Sequence, residues 1–389
     1  MRRENKAGIL QIANEKCIGF LAFAYTPWQA IGTSAVIRKL NREYGVENGL
    51  VCICSHEKSG VLIDEKHFSV PQNMDIEFCV YEETGVGSFL EKVAVATIGM
   101  AAIKNKTRRK TLFVLNPLTP KYNVLRYLAL RKCDYNLVSV VVDEGIASYM
   151  WTKRDWVHDA YTINGASIKA YLKYWWKYFW EFPLQDRMLR NKRLLCKDGF
   201  LTVTENGLCG NWEIIEYYCQ VLDASEKKVS DAMNDLYGDN VLVLTQPFYD
   251  SQQLTDEDVR VLKELADIVN ACGKKVIIKP HPREQSLGRY QGVCNYLDQE
   301  SQGISIELLL HQLAKKPCLV VGYNSTALVT VKLMENIPTL SLQKLLERRN
   351  IDISLRNTLD KFGATFQKTV MQPTTKQEVK KLIQETVQF

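Results

Sequence analysis

An alternation that runs from one end of the chain to the other limits its fold more than any single motif. Short runs of β-branched, aromatic and aliphatic residues are separated by longer stretches of helical periodicity. Strands interleaved with helices fold as parallel sheets, because a parallel neighbour is reached only by a crossover over the sheet face. In the first half the expected strands are Cys17–Ala24, Gly49–Cys54, Ile76–Tyr81, Thr111–Leu115 and Leu137–Val142, with helical stretches at Thr33–Tyr44 and Phe89–Lys104. In the second half they are Phe200–Val203, Asn240–Thr245, Lys275–Lys279, Cys318–Val321 and Thr339–Ser341, with helices at Asp256–Ala271, Ile306–Ala314 and Thr326–Glu335. At 389 residues there is room for two such doubly wound α/β domains, each with its own core. They are expected at 1–215 and 216–389, joined between about Phe182 and Asp239, where strand signals thin out. The absence of an internal repeat removes solenoid and propeller folds.

Composition narrows the setting. No run of eighteen apolar residues exists, so a membrane span is not expected. The basic start Met1–Lys6 leads into Gln11, Asn14, Glu15 and Lys16, which break any signal-peptide core, so the expected location is cytoplasmic. Eleven cysteines are scattered without a CxxC and read as buried reduced thiols; Cys52 and Cys54 are expected to point to opposite faces of their strand. Five dispersed histidines (His56, His67, His158, His281 and His311) predict no metal cluster. A formal charge of +6 suits anionic ligands or surfaces, while no zinc-finger spacing, RNP motif or basic arm supports a nucleic-acid partner.

Ile168–Phe182 (IKAYLKYWWKYFWEF) places Lys169, Lys173 and Lys177 on one helical stripe and crowds aromatic residues onto the rest. That pattern suits an interfacial helix on an anionic membrane, with Arg187, Arg190, Lys192 and Arg193 just beyond it. A core helix or a homodimer contact with lysines on its solvated side accounts for the same pattern.

Three strand ends carry polar groups into the loops where open α/β sheets bind ligands. Val142 is followed by Asp143-Glu144-Gly145, paired carboxylates suited to general-base work, or a helix-capping turn. Lys279 is followed by Pro280-His281-Pro282, a histidine clamped between two prolines and able to donate to a phosphate oxygen. Gly322 is followed by Tyr323-Asn324-Ser325-Thr326 at a helix start, where hydroxyls and free N–H groups make an anion site and cap the helix at once. Glu307, at the start of an apolar helix, is placed to accept from ribose hydroxyls or to favour the helix dipole. Asp256-Glu257-Asp258 holds a nominal DxD, but the helical pattern after Thr255 makes it a first helical turn and not a metal site.

The order DEG, KPHP and NST resembles that of bacterial sialyltransferases of the lipooligosaccharide and capsular polysialyltransferase families, marked by D/E-D/E-G, HP and Ser/Thr motifs. Thr26-Pro27-Trp28-Gln29 after the first long strand looks like the T-P-x-Q turn of the lipooligosaccharide enzymes, and Thr245–Asp250 (TQPFYD) is similar to their second-domain opening. The resemblance implies a GT-B fold, two Rossmann-like domains facing a central cleft, and inverting transfer of sialic acid from CMP-sialic acid to a glycan acceptor, including a lipid-linked one, without a metal or other cofactor. It implies that Asp143 deprotonates the acceptor, with Asp250 as the rival base. It further implies that His281 acts on the CMP phosphate as acid or electrostatic stabiliser, Ser325 and Thr326 bind that phosphate, and Glu307 holds the ribose. Thr26, Pro27 and Gln29 would line the cleft, with Glu144, Gly145, Lys279, Pro282 and Asn324 completing the substrate contacts. A CDP-polyol phosphotransferase of teichoic-acid type, another GT-B glycosyltransferase and a non-catalytic capsule-assembly subunit are the competing readings.

Overall fold

The computed structural model describes residues 2–4, 6–54, 63–81, 110–116, 135–140, 142, 149, 167–176, 179, 200–204 and 207–387. The chain forms two compact units, one of Met1–Lys58, Leu62–Thr202 and Asn211–Val221, the other of Ser59–Val61, Val203–Gly210 and Leu222–Phe389.

The first unit holds a six-stranded parallel sheet of β1 (Arg2–Glu4), β2 (Phe20–Ala24), β3 (Asn48–Cys54), β4 (Asp75–Tyr81), β5 (Lys110–Leu115) and β6 (Tyr135–Val140) in the order β1-β4-β3-β2-β5-β6. The five long apolar runs became strands, each paired in parallel with its neighbours. β1 was not expected, since Arg2-Arg3-Glu4 has no apolar signal; it gains its place by pairing with β4 at the sheet edge. β2 is buried along its whole length, as a central strand covered on both faces must be. The following helix starts at Pro27, six residues before the expected Thr33, because Thr26 caps it and Pro27 is pre-set for the first turn. It ends at Tyr44, where Gly45 takes a φ of 63°. The expectation for the cysteines is corrected here: Cys52 and Cys54 lie two apart, so the pleat sends both to one face, and both join the same buried cluster as Cys79. The expected helix Phe89–Lys104 lies outside the described residues.

Beyond the first sheet, β7 (Leu201–Thr204) and β8 (Gly207–Gly210) make a separate two-stranded sheet. The stretch expected to be irregular also contains the helices Trp212–Asp223 and Asp231–Tyr237.

The second unit is built on β9 (Val241–Leu244), β10 (Val276–Lys279), β11 (Tyr296–Leu297), β12 (Leu319–Gly322) and β13 (Thr339–Ser341), all parallel, in the order β11-β10-β9-β12-β13. Val241, Val243, Val276, Ile278, Leu319 and Val321 face a cluster that includes Leu262 and Leu265 of helix Glu257–Ala271 and Val379 and Ile383 of helix Lys376–Val387. Each such fully buried side chain contributes roughly 1.5–3 kcal/mol. By alternation Ile277 and Lys279 belong to the opposite face, toward helix Ile306–Gln312. The two long sheets share one strand plan. In both, the first main strand is central, the next two extend to one side and the last two to the other, which makes each a doubly wound Rossmann-like sheet.

Candidate functional site

In the second unit the topological switch lies between β9 and β12, so a ligand crevice is expected at their C-terminal ends. Three loops meet at that edge: Thr245–Asp250 after β9, Pro280–Pro282 after β10 and Tyr323–Ser325 after β12. The ends of β10 and β12 stand two strand spacings apart, roughly 10 Å, which is the scale of a nucleotide.

His281 is the most constrained side chain of the edge. Its Nδ1 accepts from the backbone N–H of Arg283 at 3.1 Å, so a neutral imidazole carries its proton on Nε2. Its own N–H donates to Thr245 Oγ1 (3.3 Å) and Glu284 Oε2 (3.2 Å), while its carbonyl accepts from the Glu284 N–H (2.9 Å) and from Gln302 Nε2 (2.8 Å). Burial, with the charges of Arg283 and Lys279 adding to it, lowers the imidazole pKa to about 4. At neutral pH the ring is therefore an uncharged Nε2–H donor.

Lys279 ends β10 almost wholly buried, and its ammonium has one long hydrogen bond, to the carbonyl of Gln302 at 3.5 Å. Burial lowers its pKa to about 8 against the opposing pull of Asp298 and Glu307. Glu307 is buried in the first turn of helix Ile306–Gln312 and accepts from Thr330 Oγ1 at 2.7 Å; burial raises its pKa, with Thr330 and Lys279 opposing. The structure thus brings His281, Lys279 and Glu307 into one electrostatic neighbourhood.

Across the sheet, Ser325 caps helix Thr326–Glu335 by accepting from the Ala327 N–H at 3.3 Å. The remaining first-turn N–H groups and the helix dipole favour an anion beyond it. Asn324 keeps a buried Oδ1 without a hydrogen-bond partner. Pro282 is exposed at the tip of the histidine loop.

Asp250 is engaged elsewhere. Its carboxylate accepts from the backbone N–H groups of Gln285 (2.7 Å) and Ser286 (3.4 Å) and from Ser286 Oγ. Those bonds, opposed by partial burial, hold its pKa below the ordinary carboxylate value. The acidic triplet is also occupied: Arg289 pairs with Asp258 at 2.7 Å and Asp256 at 3.2 Å, and Arg260 with Glu257 at 2.6 Å.

In the first unit Thr26 accepts from the Gln29 N–H (3.2 Å), and Gln29 Oε1 accepts from the Tyr25 N–H (2.8 Å). The T-P-x-Q sequence is therefore first a capping device that fixes the exit of β2. Asp143, Glu144 and Gly145 lie outside the described residues, but the residue before them does not. Val142 N–H donates to Asn116 Oδ1 (3.0 Å), and Asn116 Nδ2 donates to the carbonyl of Phe23 (2.9 Å). Asn116 is buried at the end of β5 with a φ of 54°, a left-handed conformation that asparagine tolerates better than most residues. One side chain so ties the ends of β2 and β5 to the residue that precedes the acidic pair.

Sequence reasoning missed Asn116, Glu284, Tyr290 and Gln302, which hold site loops without being motif residues themselves, and it gave no role to Thr245, the first residue of the TQPFYD stretch. The spacing that could have revealed one of them is Glu284 at three residues past His281, the closing position of a turn.

Two Rossmann-like units with polar groups gathered at the strand ends are the architecture of the GT-B fold. The model of the alpha-2,8-polysialyltransferase family matches residues 20–344, and the chain belongs to that family. No curated protein matches the sequence. Among solved structures the chain is similar to a putative UDP-N-acetylglucosamine 2-epimerase from Listeria monocytogenes (12% identity, TM-score 0.48, covering 95% of this chain and 88% of that one). It is similar also to an alpha/beta-galactoside alpha-2,3-sialyltransferase from Photobacterium phosphoreum (11%, 0.43, 91% and 98%) and to the Escherichia coli heptosyltransferase WaaC with ADP (10%, 0.37, 95% and 98%). At these values the structural similarities say nothing of what this chain binds.

Proposed function

We propose that this chain transfers sialic acid from CMP-sialic acid to a glycan acceptor of capsular or lipooligosaccharide type, with inversion at the anomeric carbon and without a divalent metal. The observation that carries the reading is the state of His281: a neutral imidazole whose Nδ1 is occupied and whose Nε2–H is the remaining donor at the C-terminal edge of the second sheet. CMP leaves with one phosphate charge, and the Nε2–H, buried Lys279 and the capped helix at Ser325 and Thr326 supply donors and positive potential for it. Glu307 and the unpartnered amide oxygen of Asn324 are acceptors suited to ribose or cytosine donors. Asp143 is the proposed base. Asp250 is the weaker choice because its acceptor positions are filled and its pKa is lowered, both of which reduce proton affinity.

The acceptor is proposed to be presented at the inner face of a membrane. Ile168 and Leu172 are exposed on helix Ile168–Trp176 while Ala170 and Tyr174 are buried, and Lys169 and Lys173 flank the exposed apolar face. Apolar burial and lysine attraction to anionic headgroups would act together there. Among the described residues no helix is long and apolar enough to cross a membrane.

The test is CMP release from CMP-sialic acid in excess chelator, with and without a sialylated or galactose-terminated acceptor. Acceptor-stimulated release that survives chelation and is lost in His281→Ala supports the reading. No release across an acceptor panel, with turnover of CDP-glycerol or CDP-ribitol instead, would overturn the sialic-acid assignment.

A further inference from the structure

Glu284 is buried within the histidine loop, yet its carboxylate is not an orphan. It accepts from three donors of different elements: the hydroxyl of Thr245 after β9, the hydroxyl of Tyr290 in the turn Leu287–Tyr290, and the N–H of His281 itself. Its own N–H closes the turn by donating to the His281 carbonyl. Gln302, from the segment before helix Ile306–Gln312, donates Nε2 to the carbonyls of both His281 (2.8 Å) and Glu284 (3.2 Å) and accepts Lys279 Nζ on its own carbonyl. The backbone of His281 is thereby held from two sides, and its Nδ1 is held by Arg283.

We infer that Glu284 is a positioning residue: anchored on Thr245 and Tyr290, it fixes the peptide of His281 so that the imidazole presents Nε2–H, and only Nε2–H, to an anionic phosphate at the sheet edge. The inference rests on the reading that this edge receives the donor phosphate. Glu284 does not itself exchange protons with substrate, because all three of its donors arrive from the protein and the carboxyl is buried. A buried carboxylate with three donors is a costly way to build a surface loop. Two of the carboxylate's bonds anchor it on Thr245 and Tyr290 and the third holds the His281 N–H, which reduces the freedom of the ring as a fixed donor at a developing charge requires.

The inference separates from mere loop stability by what it does to His281. Glu284→Gln and, as a milder variant that keeps side-chain shape, Thr245→Val are compared with the full-length wild type. Histidine-labelled NMR follows the titration and tautomer of His281, and transfer kinetics with CMP-sialic acid follow kcat and KM. In the wild type the ring stays neutral down to about pH 4. In both variants the loosened loop is expected to move the midpoint up toward the ordinary 6.5 and to populate the Nδ1–H tautomer. Turnover should fall about 10- to 100-fold, with the donor KM changed far less, as for second-layer residues that orient a reacting group. An unmoved titration and tautomer in both variants overturns the inference, whatever the activity does. A moved titration in a protein whose wild type transfers no sialic acid leaves the positioning role standing and removes the proposed function.

Discussion

Replacing Asn116 with glycine deletes two buried hydrogen bonds while keeping the backbone that the position requires. The φ of 54° is open to glycine, so no strain is added. What is lost is the bond from Nδ2 to the Phe23 carbonyl and the bond from the Val142 N–H to Oδ1. Phe23 and Val142 are each 2% exposed, so water cannot easily replace the amide. Each orphaned backbone group costs about 1–3 kcal/mol, which gives roughly 2–6 kcal/mol for the pair. Asn116→Ala loses the same two bonds and adds about 1–2 kcal/mol for a side chain in the left-handed region, offset by glycine's extra unfolded-state freedom of about 0.5–1 kcal/mol. Alanine should therefore be no more stable than glycine, the reverse of the usual ranking. All seven tryptophans fall within the residue ranges of the first unit, so urea unfolding followed by tryptophan fluorescence reads the unit that contains the clamp. Because Val142 directly precedes Asp143, the proposed base, turnover should fall in both variants while CMP affinity, which the proposed function places in the second unit, is retained. A loss below about 1 kcal/mol, or alanine clearly above glycine, would refute the account of Asn116 as a clamp on these strand ends.

His311 bridges Glu335 (2.7 Å) and Asp223 (2.8 Å), and the Glu335 hydrogen bond, against burial, raises its pKa above 6.5. A raised histidine pKa stabilises the fold fully below the unfolded value and loses that contribution as pH rises through the folded one, so thermal melts should show wild type losing its advantage over His311→Gln as pH rises above the ordinary 6.5. The Asp258–Arg289 pair is 3% and 9% exposed, and Asp258→Ala should cost up to about 3–5 kcal/mol by leaving a buried guanidinium with only the exposed Asp256 as counter-charge, with no change in divalent-ion dependence, as denaturation and metal titration would read. Leu172→Glu should weaken sedimentation with phosphatidylglycerol vesicles, and Lys173→Glu should weaken it by about 1 kcal/mol per unit charge at low salt and by less at high salt.

The parts of this fold that were legible in the sequence are those in which one residue type answers one physical demand. A strand covered on both faces has to be apolar, so β2, β3, β9, β10 and β12 announce themselves, and the helix that starts beyond β12 needs Ser325 as its cap, whereas the cap at Thr26 was hidden by a helical pattern that becomes clear only from Thr33. β1 and β11 gave no such signal, because an edge strand of three or two residues is held by main-chain bonds that any side chain allows. The motif residues were legible for a related reason. Pro280 and Pro282 restrict the loop whatever surrounds it, whereas Gln302 and Asn116 are polar residues in loops, indistinguishable in one dimension from solvated ones, and Glu284 is marked only by its turn spacing from His281. Their roles exist only once the strand plan brings Thr245 to the side of His281, or Phe23 to the side of Val142. By the same reasoning the proposed donor to the phosphate differs in kind from the residue proposed to position it. His281 needs a particular chemistry at one atom, while Glu284 needs two acceptor oxygens at the right reach, so aspartate at 284, one methylene short of Tyr290 and Thr245, should loosen the histidine more than glutamine, which keeps one of the two acceptors. That contrast makes Glu284→Asp against Glu284→Gln a direct measure of whether reach or charge holds the histidine in place.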